Sequence, residues 1–390
     1  MQPLEGIRVL DLSRLLPGPL ASLVLADLGA TVDKIEDPGG GDYLRHMPPA
    51  VQGPGVEPTS ATFLALNRNK RCAVLDLKKP SGAAALKRLV RHYDVVLDQF
   101  RPGVLDRLGL SHAALRAENP RLVVCALTGY GQTGPLAQRA GHDLNYLARA
   151  GILGFQGPVD GPPTLPGFQL ADVSGGLYAV IGILGALMER ARTGNGQVVD
   201  VAMIETAMPF AMAGFGNLFG GVSPQRGNEA LTGGIAPYMT YATKDGRAMT
   251  LAALEPKFWL AFCQGVGLSP DMGDLVPGDH QAVLKEKVAQ IFASRTMTEW
   301  IAFSEERDCC LEPVLTPAEA KTDPHLSARK MFFDLSSPWG PIAQMRTPLT
   351  PAEKAHKPPP RRAEHTDAIL GEAGFSADEI TVLRADGSVR

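Results

Sequence analysis

His142 closes a glycine-rich stretch, GYGQTGPLAQRAGHDLNY (129–146), that holds four glycines, one proline and few large apolar residues. Such a stretch packs poorly as core and reads as a long loop, a kind of segment that often carries function. A helix is expected from about Asp143, which puts the imidazole at a helix N-terminus. The positive end of a helix disfavours the imidazolium and keeps a neutral ring available as a base. A local role in starting the helix is the competing reading, and composition alone favours it. Asp172, in QLADVSGGLY, lies just before a long apolar run. Asp is an excellent N-cap, yet the Gly-Gly close behind also makes its carboxylate approachable. Glu255 ends an apolar strand in MTLAALEPKFW, immediately before Pro256, where an interior partner and solvent are equally reasonable surroundings.

Better-known signatures are missing. A GxGxxG fingerprint belongs between the first strand and its helix, but SRLLPGPLASLV supplies only Gly18 there. The literal match GYGQTG (129–134) is followed by Pro135 and a polar loop rather than an apolar helix. The run Gly39–Gly41 is followed by Asp42, a negative charge where a phosphate cradle would avoid one. Neither GxxxxGK[ST] nor GxSxG occurs, so nucleotide hydrolysis and serine-elbow chemistry lose support. The eight histidines show no HxH, HExxH or facial-triad spacing, so no metal is expected. His46, His92, His112, His280, His325, His356 and His365 are read as solvated or capping residues.

The elements that must position these groups follow from hydrophobic periodicity. Strands are expected at 7–13, 31–37, 72–78, 94–100 and 121–131, with helices from about Gly18 to Gly29, over 81–93 and over 111–120. Strands separated by helices argue for βαβ units and a parallel sheet. A mainly helical block runs to about 215, followed by a glycine-rich boundary at 214–237. A hairpin at 238–254 turns on Lys-Asp-Gly-Arg, helices fill 256–308, and Pro348–Arg362, with five prolines, reads as an extended arm. Two short helices finish the pattern, the second capped by Ser376. The expected division is a large domain over 1–215, a small one over 225–330, and an arm with returning helices over 331–390.

Composition narrows the classes. Of 390 residues 45% are hydrophobic and 20% charged, enough for a packed core. The net charge of −3 leaves no electrostatic footprint for nucleic acid or an anionic membrane. Five cysteines without a CxxC argue for reduced thiols and a cytoplasmic protein. The apolar run Val173–Met188, 16 residues long, is too short to span a bilayer and reads as a buried helix.

An ordered set of segments carries a resemblance. PLEGIRVLDLS, LADLGATVDKIE, LNRNKRCAVLDLK, RPGVLDRLGL, LTGYGQTGP, GHDLNY, GQVVDVAM and EHTDAILGEAGFSADEI run from residue 3 to about 380. Together they resemble the family III CoA-transferase superfamily, the carnitine-dehydratase-like enzymes that include α-methylacyl-CoA racemase. The resemblance implies an α/β chain with a Rossmann-like large domain, a smaller α+β domain and an interlaced homodimer. It implies an acyl-CoA thioester as substrate and no cofactor beyond the CoA moiety.

Two chemistries diverge within the superfamily, and both use an aspartate that matches Asp172. In the transferases it attacks the donor thioester as a nucleophile, on the way to moving CoA to a free carboxylic acid. In the racemases it is one of two bases; the second matches His142, and a glutamate that matches Glu255 serves that histidine. Inverting a carbon α to a thioester needs one group to remove a proton and another to return one on the opposite face. Asp and His, with ordinary pKa values of about 3.9 and 6.5, are near enough for modest shifts to let them exchange roles. Backbone amides after Asp172 would stabilise the enolate oxygen. The joint presence of His142 and Glu255 favours epimerisation of 2-methylacyl-CoA thioesters. For CoA the resemblance points to Leu15, Leu75, Lys78 and Arg107, with Asp143 and Tyr146 near the thioester. One departure stands out: many relatives carry an arginine where this chain has Asp37, and Arg45 is the candidate replacement.

Overall fold

The computed structural model describes residues 2–390, which group into two compact units. The first holds residues up to 147, 168–207 and 323–390; the second holds 148–167 and 208–322. This grouping moves 148–167 out of the expected large domain and returns the chain to the first unit from residue 323.

The first unit is built on a parallel sheet of six strands. In chain order its strands are β1 (Arg8–Asp11), β2 (Thr31–Glu36), β5 (Lys70–Val74), β6 (Val95–Asp98), β7 (Val123–Thr128) and β8 (Val198–Ala202); the intervening β3 (Ala50–Gly53) and β4 (Val56–Ser60) form a separate hairpin. The spatial order is β5–β2–β1–β6–β7–β8, the doubly wound arrangement whose strand order reverses between β1 and β6. The reason is in the strands themselves: β6 and β7, VVLD and VVCALT, are buried at every position and suit a sheet covered on both faces. Helices Pro17–Asp27, Pro80–Val90, His112–Glu118 and Leu170–Thr193 supply cover.

The strand at 72–78 proves to start earlier, at Lys70, and to stop at Val74. β8 falls inside the block read as helical, and the hairpins β3–β4 and Phe332–Ser337 with Gly340–Met345 were not expected. The helix behind the 16-residue apolar run is 24 residues long, so by length and composition it could cross a membrane. Half of its apolar window is buried within the protein. A side chain at Gly176 would meet the Pro17 carbonyl at 2.6 Å, and one at Gly175 would meet Met203 at 2.7 Å. The two glycines therefore let this helix approach its neighbours rather than opening a path to Asp172.

The second unit carries an antiparallel sheet of Tyr238–Ala242, Ala248–Ala252 and Leu311–Pro313. Helices Pro256–Val266, His280–Phe292 and Met297–Glu306 pack on it around an aromatic cluster. Phe292 stacks on Tyr241 at 4.7 Å and meets Trp300 at 4.6 Å. The hairpin turn and these helices lie where the sequence places them.

Candidate active site

Open parallel sheets bind ligands beyond the carboxyl ends of their strands, at the point where strand order reverses. A cavity of about 560 Å³ opens at that place. Its walls are Leu12–Arg14 after β1, Ile35–Asp37 and Gly39–Tyr43 after β2, Leu75–Lys78 after β5, and the Phe100–Leu108 turn after β6. Leu75, Lys78 and Arg107 all line it. Leu15 does not, but holds the adjoining turn at φ 66°, with its N–H donating to Asp42 Oδ1 at 3.0 Å. Arg14, which sequence reasoning passed over, also faces the cavity and lies over the rings of Tyr43 and Phe100, 4.9 and 5.5 Å from their centroids. Gly18 is required beneath it, because a Cβ there would meet Ser13 Cβ at 2.1 Å.

A buried charge network supports this loop. Asp11 accepts from the Ser13 amide at 2.8 Å and the Ser22 hydroxyl at 2.6 Å, with Lys70 at 3.8 Å. Lys34 donates to the Ser13 carbonyl at 2.6 Å and pairs with Asp42 at 2.9 Å. Burial pushes the Asp11 carboxyl up, but Lys34, Lys70 and the two serines outweigh it and leave its pKa below the usual range. Burial also brings the Lys70 ammonium down to about 7. The objection to Asp42 beside the glycine run thus falls: its charge is neutralised by Lys34, and Gly39–Gly41 do line the cavity.

The place of the missing arginine is filled differently. Asp37 Oδ1 accepts the amides of Gly39 at 2.7 Å and Gly40 at 3.2 Å, so a carboxylate occupies donors that a phosphate would use. Arg45 is no substitute. It is buried, doubly bonded to Glu36 and stacked 3.8 Å from the Phe63 ring centre. Arg362 from the extended arm donates to the Asp37 carbonyl at 2.9 Å and braces the loop from behind.

The second part of the site lies on the glycine-rich loop. Tyr146 explains its glycines: a Cβ at Gly129 would stand 2.5 Å from the tyrosine ring, and one at Gly141 2.7 Å. The Tyr146 hydroxyl donates to the Gly141 carbonyl at 2.5 Å, and its ring meets Tyr130 edge-on at 5.1 Å. The apparent GxGxxG is therefore a seat for an aromatic ring. Burial pushes the Tyr146 phenol up to about 12, with Asp172 adding to it. A polar cavity of about 140 Å³ sits beside this ring, bounded by Arg101, Thr128, Arg139 and Met203 among others.

His142 precedes the helix Asp143–Arg149, as expected, and its side chain is exposed. Its amide donates to Asn145 Oδ1 at 3.0 Å while its carbonyl accepts the Asn145 amide at 2.8 Å. Asp172 departs from expectation. It is the third residue of the helix Leu170–Thr193 rather than its cap. The capping contact comes from Asp143, whose Oδ1 accepts the amides of Ala171 at 2.7 Å and Asp172 at 3.1 Å. That leaves two carboxylates close together at one helix start. Burial, helped by the Asp143 charge and opposed by His142, raises the Asp172 carboxyl from 3.8 to about 6. The amides expected to hold an enolate are engaged: Val173 N–H already donates to the Gln169 carbonyl at 3.0 Å.

Glu255 lies in the second unit, exposed, at the N-cap position of the helix Pro256–Val266. Two histidines assigned to solvent are not there. His112 bonds Asp98 at 2.8 Å, which raises its pKa, and His356 stacks on Phe333 at 4.9 Å. Among the described residues no cluster of three or more His, Cys, Asp or Glu is arranged to hold a metal ion.

A sequence model of CoA-transferase family III matches residues 4–366. The chain belongs to that family. It is 39% identical to human alpha-methylacyl-CoA racemase, covering 98% of this chain and 96% of the relative. It is 35% identical to succinate–glutarate CoA-transferase of Agrobacterium fabrum, with 95% of each chain covered. Among solved structures, a CAIB/BAIF family protein from Brucella suis superposes with a TM-score of 0.83 at 32% identity, covering 95% of this chain and 99% of that one. Relatives named as a racemase and as a CoA-transferase thus both match nearly the whole chain.

Proposed function

We propose that this family III enzyme is an α-methylacyl-CoA racemase, epimerising 2-methylacyl-CoA thioesters with Asp172 and His142 as the two bases. The observation that carries the reading is the Asp172 carboxyl, lifted to about 6 beside His142. A carboxyl at that value holds or yields a proton almost as readily as an ordinary imidazole. One base takes the α-proton, the electron pair moves onto the thioester oxygen as an enolate, and the other base returns its own proton to the opposite face. The turnover leaves the two groups with their protonation states exchanged. The role of Glu255 as the carboxylate serving His142 belongs to this proposal and is carried by the family resemblance. The 39% identity to a racemase supports it further.

The cavity at the strand ends is assigned to the nucleotide end of CoA, with Lys78 and Arg107 pairing with its phosphates and no other cofactor required. A homodimer in the cytoplasm completes the proposal. Leu177, Ile181 and Met188 expose an apolar stripe on the helix 170–193, and all five cysteines are free thiols.

Proton NMR of a single 2-methylacyl-CoA epimer in D₂O, with no added acid, tests the reading. Loss of the α-proton signal with growth of the other epimer is expected, and His142→Ala should abolish it. Failure of exchange, together with CoA transfer to an added carboxylic acid and a CoA ester on Asp172, would instead establish the transferase that the Agrobacterium relative exemplifies.

A further inference from the structure

We propose that the segment Asp386–Val389 is a positioning element of the nucleotide cavity, holding the turn that presents Lys78. The proposal rests on reading that cavity as the CoA site. β5 is the outermost strand of the sheet, and beyond Val74 the chain bends into Leu75–Lys78, one wall of the cavity. An unpaired strand edge offers donors and acceptors with no partner of their own; along β5 His365 and Thr366 meet them at Cys72 and Val74, and beyond Val74 the 386–389 segment takes over. Asp76 N–H donates to the Ser388 carbonyl at 2.8 Å, and Leu75 and Val389 form an antiparallel bridge. Lys79 Nζ donates to the Asp386 carbonyl, and the hydroxyls of Ser81 and Ser388 meet at 2.5 Å.

These contacts fix one residue from several sides. The Asp76 carboxylate accepts the Lys78 amide at 3.0 Å, and the Asp76 carbonyl accepts the Lys79 amide at 3.1 Å, so the course of the turn depends on where Asp76 sits. On the other face, the Leu75 amide donates to the Glu36 carbonyl at 3.0 Å, joining the turn to the strand that leads into the glycine run. Ser388 is fully buried, and Val389, 1% exposed, shares a core cluster with Leu75, Ile369 and Leu370. A segment packed that deeply holds a single register. Lys78 itself is exposed, with a flexible stem, so the backbone must set where its ammonium reaches.

Calorimetric titration with coenzyme A separates this role from general stability. Lys78→Ala should weaken CoA binding about tenfold, the loss of one charge-assisted phosphate contact. Removing residues 388–390 should also weaken it about tenfold, and Val389→Ala, a milder change that keeps the fold, about threefold. In the double variants the losses should not multiply, because all act through the same ammonium. Multiplying losses, or undiminished binding by Val389→Ala and by a folded 388–390 deletion, would overturn the positioning role. Unchanged affinity in Lys78→Ala alone would instead overturn the assignment of the cavity.

Discussion

Asp11 and Asp172 lie in the same unit, one at the end of a strand and the other in the first turn of a helix, and the surroundings treat them in opposite ways. Asp11 is completely buried, yet two ammonium groups and two hydroxyls hold it ionised. Asp172 is less buried, but its nearest carboxylate, Asp143, opposes its charge and only His142 relieves it. Burial alone therefore does not decide the state of a carboxylate; the company it keeps does. Where the fold must hold a loop for binding, every charge is matched. Where protons are to move, a mismatch is left in place, and it costs stability.

The sharpest way to break this contrast is Asp172→Asn. Turnover should fall at least about a thousandfold, since either chemistry of the family requires the carboxylate. The same change should stabilise the fold. A rise from 3.8 to about 6 corresponds to at most about 3 kcal/mol, and access of water at this half-buried site reduces that to about 1–2 kcal/mol. The sign follows from the raised pKa. The wild-type group disfavours folding fully above pH 6 and not at all below about pH 3.8, so the advantage of the variant should be present at pH 8 and vanish at pH 3.5. Urea denaturation at the two pH values measures this, and a variant no more stable at pH 8 would contradict the idea of a mismatched site.

Asp11→Ala should act in the reverse sense, costing about 3–5 kcal/mol, because the buried Lys70 would lose its carboxylate and the Ser13 amide and Ser22 hydroxyl their acceptor. A loss under 1 kcal/mol in the same denaturation assay would show that the network is not what holds the loop. The smallest effect is expected from Asp143→Asn, which keeps an oxygen for the amides of Ala171 and Asp172 but removes the like charge. The acid limb of the pH–rate profile should move down by roughly half a unit to one unit. An upward move would mean that Asp143 acts on something other than Asp172.

Much of the cavity at the strand ends was legible, because it depends on local patterns. Buried apolar strands declare themselves by composition, and the order of strands and helices places a crevice at their ends. Leu75, Lys78 and Arg107 reached it through the family resemblance. What stayed hidden depends on side-chain contacts that no local pattern announces. The cap on the helix 170–193 comes from Asp143, nearly thirty residues earlier, so the position of Asp172 within its first turn could not be read from its neighbours. Arg45 looked free because Glu36 and Phe63, which consume it, carry no sign of that pairing in sequence. β8 escaped because it is short and only partly buried, even though Gly194 and Gly196 mark the end of the long helix before it. The charge of Asp42 misled for the same reason: the lysine that cancels it stands on a different strand.

The seat of Tyr146 has a consequence for how this chain can change over generations. Gly129, Gly141 and the tyrosine ring share one volume, so neither glycine can acquire a side chain while the ring is present. A substitution at either glycine must wait for Tyr146 to shrink, and a smaller residue at 146 leaves a void until the glycines are filled. Change at these positions therefore has to begin at Tyr146, and a library that varies either glycine alone will recover only glycine there.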